Sequence, residues 1–169
     1  MNPHYIIDGY NFIYDIPRFR KAMDTALELS RELLVSFLRG YLSVHKVKIT
    51  LVFDGDAKSI NQPQFRSDVR MSVVYSKYPQ KADDLIKQII ERQKNKKSLF
   101  LVSKDTELIT FSKHHGANVI APFQFFSLAE SHTGQDMMDQ KYNPTLSEAE
   151  LTEWLKIFGE DKSDSDDQQ

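Results

Sequence analysis

The sequence predicts an α/β domain: a mostly parallel sheet of about five strands with helices on both faces, followed by a short C-terminal amphipathic helix. Three observations predict it. Short apolar runs rich in β-branched residues recur along the first 120 residues, as strands buried on both faces do. Most are separated by stretches with apolar residues three and four apart, the spacing of amphipathic helices. A chain of 169 residues, 40% hydrophobic and 27% charged, also has the size and composition of one globular domain with an appendage.

The first strand is residues 4–7 (His-Tyr-Ile-Ile), ending at Asp8-Gly9. Residues 10–24 hold no sustained period and are expected to form an irregular loop beside a site. A helix begins near Thr25, with Ala26, Leu27, Leu33, Leu34, Phe37, Leu38, Tyr41 and Leu42 on its apolar side and Glu28, Arg31, Glu32 and Arg39 on other faces. Residues 47–53 (Val-Lys-Ile-Thr-Leu-Val-Phe) make the second strand, ending at Asp54-Gly55-Asp56. Residues 57–67 are polar, contain Pro63 and read as a loop, so the pairing of the second and third strands is where a simple crossover pattern can fail. Val69, Met71 and Val73 alternate with Arg70 and Ser72 in the third strand. Leu85, Ile86, Ile89 and Ile90 mark a helix over 82–92. Residues 99–102 form the fourth strand, followed by Ser103-Lys104-Asp105. A helix over 106–114 stops at Gly116. Residues 118–121 form the fifth strand, closed by Pro122.

The domain is thus assigned to residues 1–132 and a polar, aperiodic linker to 133–145. Ser147 and Glu150 form a capping box, and Leu151, Trp154, Leu155 and Phe158 make an apolar stripe ending at Gly159, so 146–159 read as a helix. That stripe either docks on its own domain or meets a partner or a second copy. Residues 160–169 hold five acids and one lysine and read as a disordered tail. They leave residues 1–159 with 21 basic and 19 acidic side chains, although the whole chain carries −2. A nucleic-acid partner would therefore need a local rather than a global positive field. The chain has no cysteine, which excludes disulfides, thiolate metal sites and thiol nucleophiles. No apolar run reaches the length of a membrane span. The opening Met-Asn-Pro-His-Tyr has no signal-peptide character, and a cytoplasmic setting is expected.

The chemistry-bearing residues are acids at strand ends. Asp8 follows the first strand, Asp54 and Asp56 the second, Asp83 and Asp84 open the helix after the third, and Asp105 lies just past the fourth. In an open parallel sheet the C-terminal strand ends share one edge, where ligands bind at the switch point. An isolated Asp after a strand reads as a turn residue or helix cap. Four acidic positions brought to one edge repel one another, and a hard divalent cation with oxygen ligands is the natural compensation. Such a site performs metal-assisted phosphoryl transfer.

The segments Ile6-Ile7-Asp8-Gly9-Tyr10-Asn11, Val52-Phe53-Asp54-Gly55, Ala82-Asp83-Asp84-Leu85-Ile86, Val102-Ser103-Lys104-Asp105 and Gly116-Ala117 occur in this order. The series resembles the NYN domain of the PIN-like nuclease superfamily, above all its YacP-like branch, over residues 4–130. The resemblance implies a PIN-like three-layer α/β/α sandwich and a Mg²⁺- or Mn²⁺-dependent ribonuclease. Asp8, Asp83 and Asp105 match the family's acidic positions and Asp54 the acid after the second strand. Asn11 matches the asparagine of the opening motif, and Ser103 the small polar residue before the last acid. Relatives often carry Glu where Asp84 stands, so either Asp83 or Asp84 can face the metal. The resemblance also implies endonucleolytic RNA cleavage, in some relatives in association with ribosomes.

The reaction expected is in-line attack of a metal-bound water on an RNA phosphodiester. Asp8 and Asp105 are the expected ligands, Asp83 shares a metal or orients water, and Asp54 supports them. Asn11 and Ser103 would hold a carboxylate or a phosphate oxygen. Arg18, Arg20, Lys21, Arg66, Arg70, Lys77, Lys81 and Lys104 are candidate cations for single-stranded RNA, and Tyr10, Phe12, Tyr14 and Tyr78 candidate stacking faces. Exposed cations more often only solvate a surface, and Phe12 also reads as core. Two rivals remain. Leu51-Val52-Phe53-Asp54-Gly55-Asp56 resembles the Asp-x-Asp motif of haloacid-dehalogenase-like phosphatases. The same fold also serves as an RNA-binding adaptor that never cuts.

Overall fold

A computed structural model describes residues 1–55, 65 and 68–133, within the first of two units into which the chain divides, Met1–Met137. The linker, the helix with Leu151, Trp154, Leu155 and Phe158, the acidic tail, Asp56 and Arg66 all lie outside the described residues.

Among these residues the strands are β1 (His4–Asp8), β2 (Lys48–Phe53), β3 (Met71–Tyr75), β4 (Leu99–Val102) and β5 (Asn118–Ile120). They form one sheet in the order β3-β2-β1-β4-β5, and every pair is parallel. The β2–β3 pairing, the place where a departure could occur, is parallel too, with Leu51 beside Val73. The chain winds outward from β1 to β2 and β3, then returns across β1 to add β4 and β5. The switch point therefore lies between β1 and β4, the place where open α/β sheets bind ligands.

Alternation along the strands sends side chains to two separate cores. Ile7, Ile49, Leu51, Phe53, Met71 and Val102 pack on one face. Ile6, Val52, Leu99 and Leu101 pack on the other. The first face is covered by α1 (Gly9–Asp15), α2 (Pro17–Thr25), α3 (Leu27–Val44) and α6 (Pro122–Thr133), and the second by α4 (Ala82–Arg92) and α5 (Thr106–His114). This is the expected three-layer sandwich.

Two corrections concern elements. Residues 10–24 are not a loop but most of α1 and α2, which bury Phe12, Ile13, Phe19 and Ala22. The pair Ile16-Pro17 hides them: the residue before proline is forced out of the helical region, and Ile16 is extended at φ −108°. Proline then takes the first position of α2, where its missing N–H costs nothing. Pro122 plays the same part, opening α6 rather than merely closing a strand. A third correction concerns a face. Arg31, expected on a polar side of α3, is buried at 8% exposure.

Candidate active site

Four acids reach the C-terminal edge of the sheet. Asp8 ends β1 and flanks the switch point with Asp105, which follows β4. Asp54 follows β2, and Asp83 lies in the first turn of α4, after β3. Each of three acids caps a helix with one oxygen. Asp8 Oδ1 accepts from Asn11 N at 3.4 Å, Asp54 Oδ1 from Ala82 N at 2.7 Å and Asp105 Oδ1 from Leu108 N at 2.9 Å. The structural role of strand-end aspartates is thus real at every position. It leaves the second oxygen of each without a hydrogen bond to the described residues. The positive ends of α1, α4 and α5 all point at this edge, which favours anionic groups there.

The electrostatics tie the four together. Burial pushes the Asp8 carboxyl up to about 7; the Asn11 N–H opposes this, and the charges of Asp83, Asp54 and Asp105 add to it. Asp83 is raised as well, first by burial and then by Asp105 and Asp54, with Lys87 opposing. No lysine or arginine forms an ion pair with any of the four among the described residues. The donor set is oxygen only, negatively charged and short of cations. Those properties fit Mg²⁺ or Mn²⁺, which favour carboxylate and water oxygens. No three His, Cys, Asp or Glu side chains among the described residues form a ready-made ion cage. Mg²⁺ needs none, since it keeps several waters and takes one or two carboxylates directly.

Asp83 and Asp84 separate clearly. Asp84 Oδ2 accepts from Lys81 N at 3.3 Å, closing the first turn of its own helix, and its side chain is exposed. It caps its own helix, and it does not appear among the charges that shift Asp8 or Asp83. Asp83 is the member that couples to Asp54 and Asp105.

Asn11 and Ser103 both hold backbone. Asn11 Oδ1 accepts from Lys104 N at 2.8 Å, and Ser103 Oγ, buried, accepts from Asp105 N at 3.1 Å. Both shape the turn that presents Asp105. Lys104 Nζ bonds Asp15 Oδ1 at 2.8 Å, while Asp15 Oδ2 accepts from Phe123 N at 3.2 Å, so α1, the Asp105 turn and α6 are tied together.

The expected RNA contacts divide. Lys77 and Lys81 are exposed at the acid edge, Lys104 is exposed beside Asp105, and Tyr14 and Tyr78 are exposed aromatics at 59% and 76%. Arg18 pairs with Glu130 at 3.8 Å, toward the far end of α6. Arg20 and Lys21 are exposed on α2, with no bond or coupling to the acid cluster. Arg70 precedes β3 and donates to His45 O at 3.0 Å on the opposite edge. Phe12 is core. Tyr10 is not a free stacking face: its ring packs on Phe53 at 5.1 Å and its hydroxyl accepts from Arg31.

Sequence reasoning missed two residues here. Ser76, buried at the end of β3, accepts from Gly55 N at 3.0 Å and fixes the turn after Asp54. Arg31 is the other; its position in the stripe of Leu27, Leu34, Val35 and Leu38 was the available signal.

The model of the YacP-like NYN domain matches residues 5–158 of this chain. A comparison with curated proteins gave no match. Two solved structures of Rae1 (YacP) from Bacillus subtilis share its fold at 18% sequence identity. One, of a point mutant, superposes with a TM-score of 0.66, covering 79% of this chain and 78% of the other. The second gives 0.65, covering 96% and 86%.

Proposed function

Since the chain belongs to the YacP-like NYN domain family, a family of nucleases, we propose that it is a Mg²⁺- or Mn²⁺-dependent endoribonuclease that hydrolyses single-stranded RNA. The observation that carries this reading is the convergence of Asp8, Asp54, Asp83 and Asp105 on one edge with their charges coupled. Asp8, Asp83 and Asp105 would hold the ion. When bound, it supplies charge stabilisation at the phosphoryl oxygens and acidifies a coordinated water. Asp54, fixed by Ala82 N, holds the start of α4 and with it Asp83. Asn11 and Ser103 hold Asp105 through the backbone of its turn. Lys77 and Lys81 line the edge where a phosphate strand would run, and exposed Tyr14 and Tyr78 offer faces for unpaired bases. The strand bearing Asp54 lies beside the switch point rather than at it, which argues against a phosphatase built on Asp54 and Asp56.

The alternative is an adaptor that binds RNA without cutting it. One experiment separates the two. A 5′-labelled single-stranded RNA is incubated with Mn²⁺ or EDTA and with wild type, Asp8→Asn or Asp83→Asn. A nuclease gives internal cuts with Mn²⁺ that EDTA abolishes and that either substitution reduces by roughly a hundredfold or more. Binding without cuts under every condition assigns the adaptor role.

A further inference from the structure

Arg31 is a buried cation with no carboxylate in ion-pair range among the described residues. Burying a charge is costly unless something compensates it. Its partners are neutral. The guanidinium carbon lies 5.5 Å from the ring centre of Tyr10 and 5.7 Å from those of Phe53 and Tyr75. Nε donates to the Tyr10 hydroxyl at 2.9 Å, and Nη2 donates to the same oxygen. The three rings belong to the elements that carry the acids. Tyr10 comes two residues after Asp8, Phe53 directly before Asp54, and Tyr75 ends β3.

We propose that Arg31 is a positioning residue for the acid cluster: its charge offsets the repulsion among the acids, and its fork clamps Tyr10 and Phe53 so that Asp8 and Asp54 keep their places. This rests on the nuclease reading. A cation behind the cluster eases the repulsion among the carboxylates, and it weakens ion binding by the same field.

The test uses the full chain at pH 8, measuring Mn²⁺ affinity without RNA and cleavage kinetics with it. Arg31→Met removes the charge and keeps the stem. It is expected to bind Mn²⁺ roughly three- to tenfold more tightly while kcat falls roughly tenfold or more at near-constant KM. Arg31→Lys restores wild-type Mn²⁺ affinity but not kcat, because an ammonium cannot reproduce the planar fork. Tyr10→Phe keeps the ring and lowers kcat alone. A folded Arg31→Met equal to wild type in both measurements overturns the inference. Should that variant fail to fold, wild-type kcat in both Arg31→Lys and Tyr10→Phe overturns it instead. A wild-type protein that neither binds Mn²⁺ nor cuts RNA overturns the nuclease reading, and this inference with it.

Discussion

Gly9 shows how a single atom places the site. A Cβ there would stand 2.3 Å from the Phe53 ring, which is fully buried and cannot swing aside. Glycine lets the start of α1 lie on that ring, so Asp8 and Asp54 sit on neighbouring strand ends without a side chain wedged between them. Gly9→Ala should therefore destabilise the protein by about 2 kcal/mol, as overpacking a core does. Urea unfolding measures it, and an unchanged midpoint would mean that the ring yields. Asp8, Asp54 and Asp105 were legible in the sequence because each stands just past the end of an apolar run, and Asp83 because it opens the apolar period of α4. Arg31 was not. Its spacing from Leu27, Leu34 and Leu38 put it on the buried side of α3, but arginine so rarely lies inside a core that charge outweighed position. Tyr10 was misread for a related reason. An aromatic beside an acidic motif suits a stacking face equally well, and only Tyr10's own contacts with Phe53 and Arg31 decide between them.

At the scale of elements, the site is made by helix starts. Asp8, Asp54 and Asp105 cap α1, α4 and α5, so one set of carboxylates ends strands, begins helices and gathers charge. Asp84 caps without joining the cluster, which gives a clean contrast on one helix turn. Asp84→Ala should cost about 0.5–1 kcal/mol, the worth of a lost cap, and leave RNA cleavage at the wild-type rate. A loss of cleavage as deep as that of Asp83→Asn would return Asp84 to the site. The helices α4 and α5 were readable to the residue, since each holds a complete apolar period between a strand end and a stop signal. α1 and α2 were not, because seven and nine residues split by Ile16-Pro17 are each too short to show a period. α6 escaped because a proline at a helix start looks, in sequence, like a proline at a strand stop.

For the whole molecule, a buried acid costs stability, and pH reveals where. Burial raises the Asp8 carboxyl from 3.8 to about 7, so the folded state holds a proton that the unfolded chain has released. That favours folding below pH 3.8 and is lost as the pH rises through 7. His4 works the other way. Burial, then Lys48, lower its imidazole from 6.5 to about 4, and its ring bonds Thr50 Oγ1 at 2.9 Å. Its contribution is present above pH 6.5 and is lost as the pH falls toward 4. The two windows overlap with opposite signs, so in EDTA His4 offsets part of the loss from Asp8 between about pH 4 and 6.5. Asp8→Asn removes one of the pair. Its melting temperature should match that of wild type near pH 4, climb with pH as His4 of the unfolded chain loses its proton, and exceed wild type by several degrees at pH 8. Saturating Mg²⁺ at pH 8 should raise the wild-type midpoint by mass action and narrow that gap, while leaving Asp8→Asn nearly unmoved. Melting curves at pH 4, 6 and 8 with EDTA or Mg²⁺ check all of this together. If Asp8→Asn gained nothing at pH 8, the burial of Asp8 would carry no penalty for a cation to relieve. If both proteins responded to Mg²⁺ alike, the ion would bind away from Asp8. If Asp8 serves the ion as proposed, the sequence change that ends cleavage should thus also strengthen the fold, because binding a cation would return the energy withheld from folding at this edge.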